Sequence, residues 1–192
     1  MSARGMDKTH LLYLQNRVAY ARDQAAYKKL YFHFYPSVYK LACIIVRHET
    51  LVEEIVSDVM IRLWTMENRL AYVEHLKSYL LTATKNTALT YLKKIREEQP
   101  ICSDDSHEHS SLSDMPDQQL ITLELSKIIE LTVRALPQKC QLAYRLIKEE
   151  GLSYKEACQI LQVSQKTLEA HICVALKKIR QILDSYLLEK KS

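Results

Sequence analysis

The sequence predicts an all-α protein of two small helical domains joined by a flexible acidic linker, and three observations carry that expectation. Glycine and proline are scarce, two and four among 192 residues, while Leu, Lys, Glu, Gln and Ala are common, a composition that favours helix. Apolar residues recur at spacings of three and four rather than two. Between the two periodic halves lies EEQPICSDDSHEHSSLSDMPDQQ, a polar stretch in which that period is lost.

The first domain spans residues 1–96. A short helix is expected near Asp7–Val18, followed by a break around Ala21–Asp23. Tyr27, Leu30, Tyr31, Phe34, Val38, Leu41 and Ile45 then continue one apolar stripe, with a kink expected at Pro36 because proline removes an intrahelical hydrogen bond. Thr50 and Glu53 have the spacing of a capping box that opens a helix through Trp64. That helix, LVEEIVSDVMIRLW, carries Glu53, Glu54, Ser57, Asp58 and Arg62 on its polar face, and Ile55, Val59, Leu63 and Trp64 among its apolar residues. Residues Met66–Glu74 read as a connecting loop, and a further helix runs from about His75 to Arg96. On it Lys85, Asn86, Tyr91, Lys93 and Lys94 alternate with apolar neighbours. Basic residues beside an aromatic and an amide can hold a strained or single strand, by phosphate contact and stacking. Taken one at a time, each is read more simply as part of a solvated face over a core.

The linker, 97–118, contains no Lys or Arg but seven acidic residues from Glu97 to Asp117, with Pro100 and Pro116 at its flanks. Such a stretch cannot bury enough apolar surface to order itself. The spacing of Cys102, His107 and His109 matches no compact four-ligand site, so neither a metal nor any other cofactor is predicted.

The second domain, 119–192, opens with a helix through Ala135. Pro137 starts another, tolerated there because its missing N–H has no intrahelical partner to lose. GLSYKEACQILQVSQKTLEAHICVALKKIR, Gly151–Arg180, then has the spacing of a helix-turn-helix. Ser153 and Glu156 form a capping box, Ala157, Ile160 and Leu161 give one apolar face, Gln162 and Val163 connect, and Ser164 suits a second N-cap. Leu168, Ile172, Ala175, Leu176, Ile179 and Leu183 carry the next helix's apolar period. Its other face runs from Gln165, Lys166, Glu169 and Ala170 to Lys177, Lys178 and Arg180. A polar tip followed by a basic flank suits a helix that reads base edges and holds phosphates.

Other classes fit less well. The net charge of +4 does not by itself demand a nucleic-acid partner, although the acidic linker leaves both flanking domains more basic than the average. Five cysteines without close pairs suit a reducing compartment. No apolar run has the length of a membrane span, and the first residues lack a signal peptide's apolar core, so a cytoplasmic protein without membrane insertion is expected. Gly5 and Gly151 are the only glycines, so there is no phosphate-binding glycine loop. Together with the lack of any local Cys–His signature, this argues against an enzyme and leaves no catalytic residue to name.

Three segments, in order, resemble the extracytoplasmic-function sigma factors, the smallest class of bacterial RNA polymerase initiation factors. LVEEIVSDVMIRLW is similar to the polymerase-binding part of sigma region 2, KNTALTYLKK to its promoter-melting part, and ALPQKCQLAYRLIKEEGLSYKEACQILQVSQKTLEAHICVALKKIR to sigma region 4. The resemblance covers about Ala26 to Leu183. It implies a region 2 helical bundle and a region 4 helix-turn-helix, with core RNA polymerase, promoter DNA and an anti-sigma factor as partners. Glu54, Asp58, Arg62 and Trp64 are implied to dock on, or support the docking helix against, a coiled-coil clamp of the polymerase. The loop Met66–Glu74, with Asn86 behind it, is implied to capture a base flipped from the downstream (minus-10) element, with Tyr91 on the same helix and Lys85, Lys93 and Lys94 on the strand backbone. Gln165, Lys166, Glu169, Ala170, His171, Cys173 and Val174 are implied to face the upstream (minus-35) element, with Lys177 and Lys178 on phosphates. Thr90 and Met60 depart from the family pattern, which frequently has an acidic and an aromatic residue there. Glu169 and Val174 stand where basic residues are common; Glu can accept from cytosine N4 and Val can touch a thymine methyl. Two alternatives remain: a regulator with a response-regulator type helix-turn-helix, and a helical protein-binding adaptor.

Overall fold

A computed structural model describes residues 6–98 and 120–189. The chain divides into two compact units between Ser106 and His107, and the described residues of each unit form an all-helical bundle. Residues 99–119 lie outside the described residues, and with them Cys102, His107, His109 and all of the expected linker 97–118 except Glu97 and Glu98, which continue the helix Leu76–Glu98.

The first unit holds α1 (Lys8–Ala21), α2 (Gln24–Val46), α3 (Glu49–Thr65), a 3-10 turn at Glu67–Tyr72, and α4 (Leu76–Glu98). The break after α1 falls where the sequence places it. Arg22 takes a left-handed conformation (φ 51°) and Asp23 caps α2, accepting from the backbone N–H of Ala25 and Ala26 at 2.9 and 3.2 Å. Glycine usually occupies such left-handed sites because a Cβ is costly there. Arg22 is held in place by tertiary contacts instead: its guanidinium lies 4.1 Å from the Trp64 ring centroid and donates to the Trp64 carbonyl at 2.6 Å.

α2 is one helix through Pro36, although the proline withholds the usual donor from the Phe32 carbonyl. Ala26, Leu30, Phe34, Val38, Leu41 and Ile45 follow its inner face at spacings of three and four, and all are buried. They meet Val52, Ile55, Val56, Val59 and Leu63 of α3 and Leu80, Leu81 and Ala88 of α4. Burial of each of the Leu, Ile, Val and Phe side chains among them is worth about 1.5–3 kcal/mol, which sets the register of the bundle.

Two local expectations change. The capping box expected at Thr50 and Glu53 does not form: the N-cap lies two residues earlier, at His48, so that α3 begins at Glu49 with no side-chain cap. Thr50 Oγ1 instead lies 3.3 Å from His48 Nδ1, and Glu53 accepts from the Tyr35 hydroxyl at 3.4 Å. The expected loop Met66–Glu74 contains the 3-10 turn, anchored by the fully buried Leu70.

The second unit holds α5 (Leu120–Arg134), α6 (Gln138–Tyr144), a π-helical turn at Arg145–Glu149, α7 (Tyr154–Leu161) and α8 (Gln165–Glu189). Pro137 is the N-cap of α6 rather than its first helical residue. Buried Gln141 donates to the carbonyls of Arg134 and Leu136 at 2.5 and 2.7 Å, closing the end of α5. Arg145 is buried between Glu130 (3.4 Å) and Glu149 (2.9 Å), as a guanidinium taken from water must be. α8 packs against α5, α6 and α7 through Leu168, Ile172, Ala175 and Ile179. Leu176, expected on that face, is instead 41% exposed.

Candidate functional site

On α3, Glu54, Asp58 and Arg62 are all exposed. With Ile61 and Thr65 they form a stripe at i, i+4, i+7, i+8 and i+11, one face of a helix. Ile61 is 58% exposed in the middle of that charged stripe, an apolar centre with a charged surround. Trp64 is half-buried; its ring meets Tyr27 edge-on at 5.0 Å and carries Arg22 on its face. It therefore braces α3 against α2. A ladder of stacked tyrosines, Tyr31, Tyr35 and Tyr39, continues along α2. Burial, then Cys43 and the acids Glu49 and Glu53, push the Tyr39 hydroxyl up to about 12.

α3 and α4 enclose an open cleft of about 380 Å³ lined by Asp58, Ile61, Arg62, Thr65, Thr87, Thr90 and Tyr91. The Tyr91 hydroxyl donates to Asp58 Oδ2 at 2.9 Å, and this bond, with some burial, raises the Tyr91 pKa. Two residues assigned from sequence to different partners are thus bonded to one another. A second cavity of about 340 Å³ is lined by Arg62, Thr65, Met66, Arg69 and Tyr79, so Arg62 and Thr65 belong to both. Asn86, Lys93 and Lys94 are exposed on α4, and Lys93 pairs with Glu97 at 3.7 Å. Asn86 lines neither cavity. Lys85, expected on the strand backbone, is instead buried, and that burial lowers its ammonium pKa.

The helix-turn-helix is built as its spacing predicts. Ser153 Oγ accepts from the Glu156 N–H at 3.3 Å, and Glu156 accepts from the Ser153 N–H at 3.0 Å. Gln162 turns the chain in a left-handed conformation (φ 58°), and Ser164 Oγ accepts from the Thr167 N–H at 3.1 Å. Along α8, Gln165, Lys166, Glu169, Ala170, Cys173, Val174, Lys177 and Lys178 are exposed. Gln165 Nε2 donates to Glu169 Oε1 at 2.9 Å, fixing the amide and carboxylate on adjacent turns. His171 departs from this row: it is half-buried, with Nδ1 3.8 Å from Cys140 Sγ, and it packs α8 onto α6.

A family model described as Sigma-70 region 2 matches residues 30–98, and one described as Sigma-70, region 4 matches residues 126–179. The chain belongs to the sigma-70 family. Region 2 ends with α4, and region 4 covers most of α5 and all of the helix-turn-helix as far as Ile179, the architecture of the extracytoplasmic-function sigma factors. The chain is 22% identical over 139 residues to RNA polymerase sigma factor SigZ of Bacillus subtilis (strain 168), covering 72% of this chain and 76% of SigZ. Its fold is similar to that of the sigma factor RpoE solved in complex with the anti-sigma factor NepR from Bartonella quintana (TM-score 0.58, 19% identity, 82% of this chain and 96% of that one). It is also similar to CnrH solved in complex with the cytosolic domain of CnrY (TM-score 0.55, 19% identity, 92% and 98%).

The region 2 cleft includes residues that local sequence patterns do not reveal. Ile61, Thr87 and Thr90 line it with Asp58 and Tyr91, and Arg69 and Tyr79 line its neighbour. Ile61 alone had a local signal, an apolar residue on a polar helical face. None of the described helices of this sigma factor is long and apolar enough to cross a membrane. Among the described residues no group of three or more His, Cys, Asp or Glu is placed to hold a metal ion.

Proposed function

We propose that this chain binds bacterial core RNA polymerase and directs promoter recognition, DNA opening and transcription initiation in the cytoplasm. The observation that carries the proposal is the α3 stripe, Glu54, Asp58, Ile61, Arg62 and Thr65, lying along the cleft that α4 closes with Tyr91. An apolar centre ringed by charges is the anatomy of a protein-binding hot spot. Glu54, Asp58 and Arg62 meet the polymerase, while Trp64 keeps α3 straight against α2. Asn86, Tyr91, Lys93 and Lys94, on the next helix, serve the downstream element. Extrusion of a base costs a few kcal/mol, within reach of stacking and phosphate contacts, so opening needs no nucleotide hydrolysis. Lys85 acts from inside α4, supporting this surface.

The second domain, 119–192, grips the upstream element through Gln165, Lys166, Glu169, Ala170, Cys173 and Val174, with Lys177 and Lys178 on phosphates. His171 sets the angle of α8 on α6 rather than touching a base. The linker, 97–118, spans the two grips, and its acidic charge suits a positively charged polymerase channel. Regulation by a separate anti-sigma protein is supported by the complexes in which RpoE and CnrH were solved. The activity is binding and positioning, not catalysis.

The test is retention of core polymerase by the immobilised full chain. Retention by the wild-type chain, reduced about tenfold or more by Asp58→Ala with Arg62→Ala, is the expected result. No retention by the wild-type chain, or retention unchanged in the double variant, contradicts the docking assignment.

A further inference from the structure

Arg22 stands at the corner between α1 and α2, and its side chain reaches across to the far end of α3. Its guanidinium carbon lies 4.1 Å from the Trp64 ring centroid, and the same group donates to the Trp64 carbonyl at 2.6 Å. The last carbonyls of a helix have no intrahelical partner, and a cation placed there also meets the negative end of the helix dipole. Arg22 thus stacks on α3 and caps it at once. The corner that carries it is itself fixed: Arg17 and Asp23 pair across it at 2.7 Å, and Asp23 caps α2.

The end of α3 is where the two cavities meet. Arg62 and Thr65 line both, and Met66 and Arg69 line the second. Beyond these residues α1 takes hold again through Gln15, which donates to the Leu70 carbonyl at 2.6 Å. Thr65, Met66 and Arg69 therefore lie between two pinned carbonyls, and Arg62 shares the last turn of α3 with the first of them.

Arg47 supplies the contrast. It ends α2 in the same left-handed conformation, φ 55° against 51° for Arg22. It is exposed, and among the described residues its side chain makes no hydrogen bond or ion pair. Such a backbone does not call for arginine, since glycine suits it better. What sets Arg22 apart is the reach of its side chain.

We propose that Arg22 is a positioning residue for polymerase docking: acting through Trp64, it fixes the last turn of α3 so that Arg62 meets core polymerase already oriented. The inference rests on the sigma-factor reading above and adds a residue outside the segment that matches region 2. A contact group held in place beforehand loses less conformational freedom on binding, so the clamp serves affinity more than folding.

The test compares Arg22→Gly with Arg47→Gly in the full chain. Glycine relieves the left-handed backbone at both sites, so the difference between the two isolates the Arg22 side chain. Trp64 is the only tryptophan in the chain, and its emission in the free chain reports the cation on its ring. Melting midpoint and affinity for immobilised core polymerase complete the comparison. The expected result is that only Arg22→Gly shifts Trp64 emission and weakens polymerase binding, by about three- to tenfold, with no matching fall in midpoint. Arg22→Lys, which keeps a cation and a donor, should restore part of that loss. Unchanged emission or unchanged polymerase affinity in Arg22→Gly overturns the proposal. So does an equal loss in Arg47→Gly, which would assign the effect to backbone freedom. A loss of affinity that simply follows the melting midpoint through wild type, Arg22→Lys and Arg22→Gly would make Arg22 a residue of the fold alone. If the wild-type chain retains no polymerase, it is the sigma-factor reading that has failed, and this proposal falls with it.

Discussion

The hydroxyl of Tyr91 on the carboxylate of Asp58 joins the helix proposed for polymerase to the helix proposed for DNA. The bond is exposed, so Tyr91→Phe should change unfolding free energy by less than about 1 kcal/mol and leave polymerase retention intact. A tenfold loss of retention would mean that the hydroxyl orients Asp58 for docking. Asp23 offers a sharper electrostatic test. Its hydrogen bond from Arg17, then the backbone N–H groups of Ala26 and Ala25, hold its pKa below the ordinary value of 3.8. A lowered carboxylate pKa stabilises the fold fully above the unfolded value, and the contribution is lost as pH falls through the lowered one. Asp23→Asn, which keeps the cap but loses the ion pair, should therefore flatten the acid limb of the melting-temperature profile. An unchanged acid limb would show that other carboxylates govern it. Neither Tyr91–Asp58 nor Gln15–Leu70 was legible in the sequence. Their partners stand 33 and 55 positions apart, and nothing in a local period specifies which polar side chain meets which across a bundle.

At the scale of elements, a cap was legible where the helix start itself was legible, as at Ser153 and Ser164. Ser153 and Glu156 close a box because both partners lie within one turn of a helix that begins where the apolar period begins. Ser153→Ala should cost the second unit about 0.5–2 kcal/mol, whereas Glu156→Gln, still able to accept, should cost less; equal losses in chemical denaturation would argue against the box. The same spacing at Thr50 and Glu53 misled because α3 starts at Glu49. That shift puts Thr50 inside the helix, where its hydroxyl no longer faces the orphan N–H groups. The 3-10 turn escaped notice because one buried residue, Leu70, makes no period. Leu70→Ala should destabilise the first unit by about 2–5 kcal/mol, read as a lower denaturant midpoint; a change below about 1 kcal/mol would mean the turn is not part of the core. Pairing of α8 with α6 through His171 and Cys140 was similarly hidden, since a histidine on a helix flank reads equally as a contact or as packing.

At the scale of the molecule, the all-α class and the two units were legible because composition, period and the acidic gap agree. The fold of each unit follows from apolar stripes that only a helical bundle buries. Membership of the sigma-70 family was legible mainly through the order of three segments, since a helix-turn-helix alone suits many regulators. The account's central claim is that α3 docks on core polymerase and the exposed face of α4, with Asn86, opens the promoter, while α8 sets the register upstream. Run-off transcription from a duplex template tests this most directly, with core polymerase alone, with the wild-type chain, and with Asn86→Ala. The account predicts a defined transcript only when the chain is present, and a loss in Asn86→Ala that a pre-melted bubble largely restores. Polymerase that binds the chain yet starts no defined transcript on any selected template would contradict it.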